Sequence, residues 1–242
     1  MKKMPKAGSL FADLKTHDLF DLSHCLLGEK LGALEYPWEA LPFLSTWIRE
    51  IGQQLPQSDY DEIQPEVWVS RKASVAPTAY IQGPCIVMAE TEIRHGAYIR
   101  GSVLIGEGCV VGNSTELKNV MLFDGVQVPH YNYVGDSILG YRAHMGAGSI
   151  TSNVKADKTL VVIGCGSEKY ETGLKKMGAM IGDFVEVGCN SVLNPGTVIG
   201  MHTSIYPLSL VRGVVPAHSI YKTQGGVIVP KHSDHRLNGQ CE

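Results

Sequence analysis

One short stretch of this chain concentrates groups that can move protons and hold anions. It reads Pro129-His130-Tyr131-Asn132-Tyr133-Val134-Gly135-Asp136, and His144-Met145-Gly146-Ala147-Gly148-Ser149-Ile150-Thr151-Ser152-Asn153 follows it. An imidazole titrates near neutral pH, so His130 is suited to take a proton from an attacking amine or hydroxyl. Arg100, Lys118 and Lys158 flank the stretch and are suited to hold a phosphate group. Each of these residues also has an ordinary reading as a solvated surface group. The fold decides between the two readings by bringing them together or keeping them apart.

The elements that position them follow from a repeat. From Val69 an apolar residue recurs every six positions: Val69, Val75, Ile81, Val87, Ile93, Ile99, Ile105, Val111, Leu117 and Phe123. At 44% apolar content such a run in one chosen phase arises by chance in roughly a few cases per ten thousand. A second series runs Ile181, Val187, Leu193, Ile199, Ile205 and Val211, with Met145, Thr151 and Ile163 in its phase. Gly directly follows the periodic residue at Gly106, Gly112, Gly140, Gly146, Gly164, Gly182, Gly188 and Gly200, where a corner relieved by a missing Cβ is expected. A period of six suits short strands that turn one branched side chain inward per side and then bend. The fold class is therefore mainly β, a parallel β-helix of hexapeptide repeats over residues 65–215. Known proteins with this pattern wind three sides into one left-handed coil.

Departures from the repeat are where function is sought. The phase slips by one between Phe123 and Val128 and again between Val134 and Leu139. From Gly164 to Met180, with Glu168, Lys169, Glu171, Lys175 and Lys176, either one irregular coil or a projecting loop is expected. Residues 1–64 lack the period. Leu44, Trp47, Ile48, Ile51 and Leu55 are spaced as one face of a helix starting near Pro42, and Leu10, Phe11 and Leu14 suggest another. This segment reads as a helical cap over the open edge of the first coil, or as a partner-docking helix. Residues 216–242, with His232-Ser233-Asp234-His235, read as a tail that frays.

With 242 residues and a formal net charge of −3, no global field favours nucleic acid or an anionic membrane. No apolar run approaches the ~18 residues that span a bilayer, and no signal-peptide pattern opens the chain. The six cysteines form no C-x-x-C pair and read as reduced thiols, so the cytoplasm is the expected compartment.

At His130-x-x-Tyr133-x-Gly135-Asp136 and Gly146-Ala147-Gly148-Ser149-Ile150-Thr151-x-Asn153 the chain resembles a known family. This is the C-terminal acetyltransferase domain of bacterial N-acetylglucosamine-1-phosphate uridylyltransferase and of related archaeal sugar-phosphate nucleotidylyltransferases. Arg100 and Lys118 stand at the family's separations of 30 and 12 residues before His130. The resemblance implies that His130 is the general base that deprotonates an amino-sugar phosphate for attack on acetyl-CoA. It implies that Arg100, Lys118, Tyr133, His144, Asn153 and Lys158 surround the sugar phosphate, and that Ala147 and Cys189 lie near the thioester end of CoA. It further implies a homotrimer with sites between adjacent β-helices, and no metal.

The chain departs from the pattern in places. His144 stands where the family usually has Asn, which implies another acceptor or another hold on it. Tyr206-Pro207-Leu208 replaces small residues beside CoA, and Lys158 is one residue closer to Asn153 than the pattern asks. No Gly-rich nucleotide loop precedes the repeat, so nucleotidyltransferase activity is not expected. Two further readings compete. One is a non-catalytic trimeric module that binds sugar phosphate or nucleotide sugar. The other is a zinc hydratase of the γ-carbonic-anhydrase type using His95 and His130, although its usual close pair of His is absent.

Overall fold

The six-residue period folds into short strands whose main chains pair in parallel, so each coil stacks on the one before. The computed structural model describes residues 12–222 and 227–231; Leu10, Phe11 and the segment from His232 to His235 lie outside the described residues. Three sides make each coil of a left-handed parallel β-helix of about nine turns. The first side stacks Val67–Ser70, Cys85–Val87, Val103–Ile105, the ends of Glu116–Leu122 and Tyr133–Leu139, Ala179–Ile181, Thr197–Ile199 and Val214–Val215. The second stacks Ser74–Val75, Glu92–Ile93, Val110–Asn113, Gln127–His130, His144–Met145, Glu186–Val187, Ser204–Ile205 and Ser219–Lys222. The third carries Tyr80–Ile81, Tyr98–Ile99, the starts of Glu116–Leu122 and Tyr133–Leu139, Ile150–Thr151, Val192–Leu193 and Leu210–Val211.

Inside, each side contributes a column of branched residues, such as Val87, Ile105, Leu122, Leu139, Ile181 and Ile199 on the first, all fully buried. Two positions before many of the inner residues stands a small buried one: Cys109, Thr115, Ser137, Ser149, Ser191, Thr203 and Ser209 among them. This alternation of large and small fills a narrow prism at interior density. The hydroxyls do not go unpaired. Thr115 donates to the Val128 carbonyl at 3.0 Å and Ser149 to the Gly146 carbonyl at 2.6 Å, which removes the penalty of burying them.

Three expectations need adjustment. Leu122, not Phe123, pairs with Ile105 and Leu139, so the five-residue side runs from Leu117 to Leu122. Phe123 is buried just beyond it, packed on Phe20 with ring centroids 5.1 Å apart. The glycines that follow the inner residues do not adopt positive φ at the corners. A Cβ on Gly106 or Gly146 would sit 2.6 Å from the Phe123 carbonyl carbon or 2.7 Å from the Cys189 nitrogen, so they permit close approach of the next coil. The left-handed corner residue falls two positions later, as in Gly108, Ser114, Tyr131, Gly148 and Asn190. Third, Ile163 belongs to a projecting hairpin, in which Val162–Cys165 pairs antiparallel with Glu168–Glu171. The coil itself resumes with Ile181 on Leu139.

The N-terminal helical segment is present, but it runs along the flank of the solenoid and does not close its end. Its helix Leu44–Gly52 touches the first-side strands Cys85–Val87 and Val103–Ile105. Upstream, the Asp183 carboxylate accepts the Asp21 and Tyr141 amides at 2.6 and 2.7 Å. Leu19, Leu27, Leu31, Tyr36, Trp38, Leu44 and Ile48 are buried under this strap, each stabilising it by about 1.5–3 kcal/mol. Tyr36 and Trp38 also pack on Tyr170 of the hairpin, at 4.9 and 5.3 Å between centroids. One side at each end is covered by an antiparallel strand instead, Tyr60–Gln64 on Val67–Ser70 and Val227–Pro230 on Ser219–Lys222. Coil pairing continues past Val215, through Ser204↔Ile220 and Ile205↔Tyr221.

The described cysteines are all free, as the spacing implied; Cys85 and Cys109 are buried, and burial pushes the Cys109 thiol up to about 12. Among the described residues no helix is long and apolar enough to cross a membrane.

Candidate active site

Two edges of the third side carry most of the residues singled out above. At the edge between the second and third sides, Gln127 registers with His144 and Met145 with Val187, which sets His130, Ala147 and Cys189 one above another on consecutive coils. Their main chains are tied in the same order. Gly148 donates to the His130 carbonyl at 3.0 Å, Asn190 to Ala147 at 2.8 Å, and Leu208 to Cys189 at 2.9 Å. Coils stack about 4.8 Å apart, so the three residues span about 10 Å. His130 is exposed, and among the described residues its ring has no hydrogen-bond partner. Cys189 is a free, exposed thiol. The next coil places Tyr206, Pro207 and Leu208 at this edge, all exposed.

At the opposite edge, between the third and first sides, Ile99 registers with Leu117, and Lys118 with Gly135. This aligns Arg100 with Lys118. The organiser here is Asp136, only 3% exposed. Its carboxylate accepts Lys118 Nζ at 3.2 and 3.3 Å, Asn119 Nδ2 at 2.9 Å and Asn153 Nδ2 at 2.5 Å. Asn153 Nδ2 also donates to the Tyr133 hydroxyl at 3.2 Å. A Cβ on Gly135 would lie 2.6 Å from that hydroxyl and 2.8 Å from Asn153 Nδ2, so glycine is what lets the two meet. Burial, then the neighbouring Asp136 and Glu116 charges, push the Tyr133 phenol above its ordinary range. Arg100 is exposed and gives its Nη1 to Glu116 at 2.7 Å.

Tyr133 faces outward on the third side, between the two edges, in register with Glu116 and Ile150. His144 lies elsewhere. It is on the second side, with Nδ1 2.8 Å from the Glu186 carboxylate. Lys158 stands exposed on the loop after Asn153, in a left-handed conformation and with no side-chain partner among the described residues. The residues are thus brought together as a hydrogen-bonded edge whose two cations, Arg100 and Lys118, are paired with Glu116 and Asp136, and an open imidazole edge, with His144 and Lys158 outside both. No group of three or more His, Cys, Asp or Glu able to hold a metal occurs among the described residues.

Asp136 lies within the motif that carries the resemblance, and neither it nor Asn119 stands out by residue type alone. A signal was available. Asn119, Asp136 and Asn153 are spaced at 17 residues, the length of a coil with one five-residue side, as are Asn113, His130 and Ala147.

Residues 81–168 match the family model for the GMPPB C-terminal domain. A bifunctional sugar-1-phosphate nucleotidylyltransferase/acetyltransferase of Sulfurisphaera tokodaii is 30% identical over 68% of this chain and 41% of its own length. A bifunctional protein GlmU of Methanococcus maripaludis is 34% identical over 57% of this chain and 33% of its own. The chain therefore spans between a third and two fifths of these relatives. The acetyltransferase domain of PglB from Neisseria gonorrhoeae overlaps 68% of this chain and 57% of its own at 14% identity, with a TM-score of 0.31, a likeness too slight to bear on function. What this chain resembles is the C-terminal, acetyltransferase-like region of the GlmU-like bifunctional proteins.

Proposed function

We propose that this chain is an acetyl-CoA-dependent N-acyltransferase acting on an amino-sugar phosphate or nucleotide-linked amino sugar, with His130 as general base. The observation that carries the reading is the stack of His130, Ala147 and Cys189 along one edge. It offers a small-residue track for the pantetheine arm that ends on an imidazole free to accept a proton. The amine nitrogen attacks the thioester carbonyl carbon and His130 takes its proton. The C–S bond then breaks, and the departing thiolate receives the proton back. Arg100 and Lys118 would hold the sugar phosphate, with Tyr133 and Asn153 beside it and Lys158 reaching in from its loop. His144 would take the place of an acceptor contact only through a neighbouring copy, since within the chain it pairs with Glu186. The third side supports a homotrimer. Its outward column runs Tyr80, Tyr98, Glu116, Tyr133, Ile150, Val192 and Leu210, apolar or aromatic but for Glu116, and the first and last of these are 58% and 66% exposed. The Sulfurisphaera tokodaii relative, named in part as an acetyltransferase, agrees with this chemistry.

A specific feature favours a second reading, a sugar-phosphate-binding module without catalysis. Pro207 occupies the coil after Cys189 on the same edge, flanked by the exposed Tyr206 and Leu208, and would narrow the track. One experiment separates the two. Acetyl-CoA is titrated by calorimetry, and thiol release is then followed with glucosamine-1-phosphate and galactosamine-1-phosphate, in wild type and His130→Ala. Binding with thiol release that vanishes in the variant supports the enzyme. No CoA binding at millimolar concentration, with sugar phosphate still bound, selects the module.

A further inference from the structure

One open cleft lies away from His130. It opens to about 990 Å³ between the projecting hairpin and the coils beneath it. The hairpin contributes Val162, Gly164, Gly166 and Lys169, and the coils contribute Ser152, Asn194 and Arg212. Ser152, Asn194 and Arg212 each follow an inner third-side residue, Thr151, Leu193 and Val211, which stack in register. They therefore continue the column that holds Arg100 and Lys118 lower down. The cleft is an extension of the charged edge and not of the histidine edge.

Its charge balance is uneven. Lys155 and Asp157 both line it and neutralise each other at 3.4 Å. That leaves Lys169 on one wall and Arg212 on the other, both exposed, with no carboxylate within 4.0 Å among the described residues. Glu171 shares a hairpin face with Lys169 but does not line the cleft. Across the hairpin Lys169 registers with Gly164, where a Cβ would meet nothing within 4 Å, so no cross-strand side chain competes for the space beside the ammonium. Behind the hairpin, Tyr170 rests on Tyr36 and Trp38 of the strap, which braces this wall against the solenoid. Two opposed, unpaired cations across a braced cleft of nucleotide size suit a ligand with more than one anionic oxygen, with the Arg212 fork taking two of them.

We propose that this cleft is a binding site for the phosphate or diphosphate group of a small molecule, held between Lys169 and Arg212. The proposal does not rest on acyl transfer at His130. The shared chemistry has two sources, the phosphates of CoA and the diphosphate of a nucleotide sugar. Inorganic pyrophosphate is titrated first by calorimetry, into wild type, Lys169→Gln, Arg212→Gln and, as a control outside the cleft, Lys72→Gln. Saturable binding is expected, weakened roughly tenfold by each cleft variant and unchanged in Lys72→Gln and in His130→Ala. Titrations with CoA and with UDP follow. Whichever binds more tightly with the same dependence on Lys169 and Arg212 identifies the source. Circular dichroism on each variant checks the fold. Absence of saturable pyrophosphate binding, or binding indifferent to both cleft substitutions in folded protein, overturns the site. Retained pyrophosphate binding in a protein that releases no thiol would separate its fate from that of the acyltransferase reading.

Discussion

The two edges of the third side place similar chemistry under opposite conditions. At one, Lys118, Asn119 and Asn153 converge on the buried Asp136 carboxylate, and every group named has a partner within the chain. At the other, His130 and Cys189 stand exposed and without side-chain partners among the described residues. The first edge is organised before any ligand arrives, and its geometry is held by interactions that also stabilise the fold. The second is held by no side-chain interaction of these two residues and leaves both open to a ligand. On the proposed function, holding and reacting fall to separate edges, and substitutions should separate them too.

The largest effect is expected at the open edge. His130→Ala should lower thiol release by about a hundred- to ten-thousand-fold, while thermal denaturation shifts by no more than about 0.5 kcal/mol. Equal losses in activity and stability would break the contrast. Asp136→Ala should show the reverse balance. It strands the Lys118 ammonium and two amides, at a cost of about 2–3 kcal/mol read from urea unfolding, and sugar-phosphate affinity falls with it. A fully stable Asp136→Ala protein would mean that the buried cluster does not organise its edge.

Glu116→Gln is a finer probe, because Arg100 must leave Glu116 to meet a phosphate. An exposed pair of this kind is screened by solvent and contributes little to stability. Stability should hardly change, and calorimetric sugar-phosphate affinity should rise a few-fold. The smallest effect concerns the remaining edge, between the first and second sides. Burial, then His218 and Lys231, hold the His202 imidazole below its ordinary value of 6.5. A base whose folded pKa is depressed contributes stability that is present above the unfolded value and lost as pH falls through it toward the folded value. Between pH 7.5 and 5.5 the melting temperature should fall slightly on this account. His202→Phe, which keeps the stack on Phe184, should remove that increment.

Much of this was legible in the residues. The hexad of Val69 through Leu117 read as a stack of short sides, because a β-sandwich would match one apolar residue in six only by coincidence. Phe123 misled because it is apolar and buried, yet its burial is against Phe20 of the strap and not in the column. Leu44, Trp47 and Ile48 announced a helix correctly. An amphipathic pattern carries no information about which surface it covers, so the flank was indistinguishable from the end. Ile163 kept the phase across the second break only by coincidence, since a hairpin needs no six-residue period.

Sequence by itself determined the coil, its inward residues, the free thiols and a motif whose spacing resembles one family. These are local or periodic properties, set by which side chains a repeated corner can bury. Tertiary structure decided which residues meet. His130, Ala147 and Cys189 are joined across an insertion, and Lys118 and Asn153 reach each other only through Asp136. The physical reason is that main-chain pairing between coils sets register. After a slipped or interrupted coil, that register can be read from the hydrogen-bonded stack and not from distance along the chain.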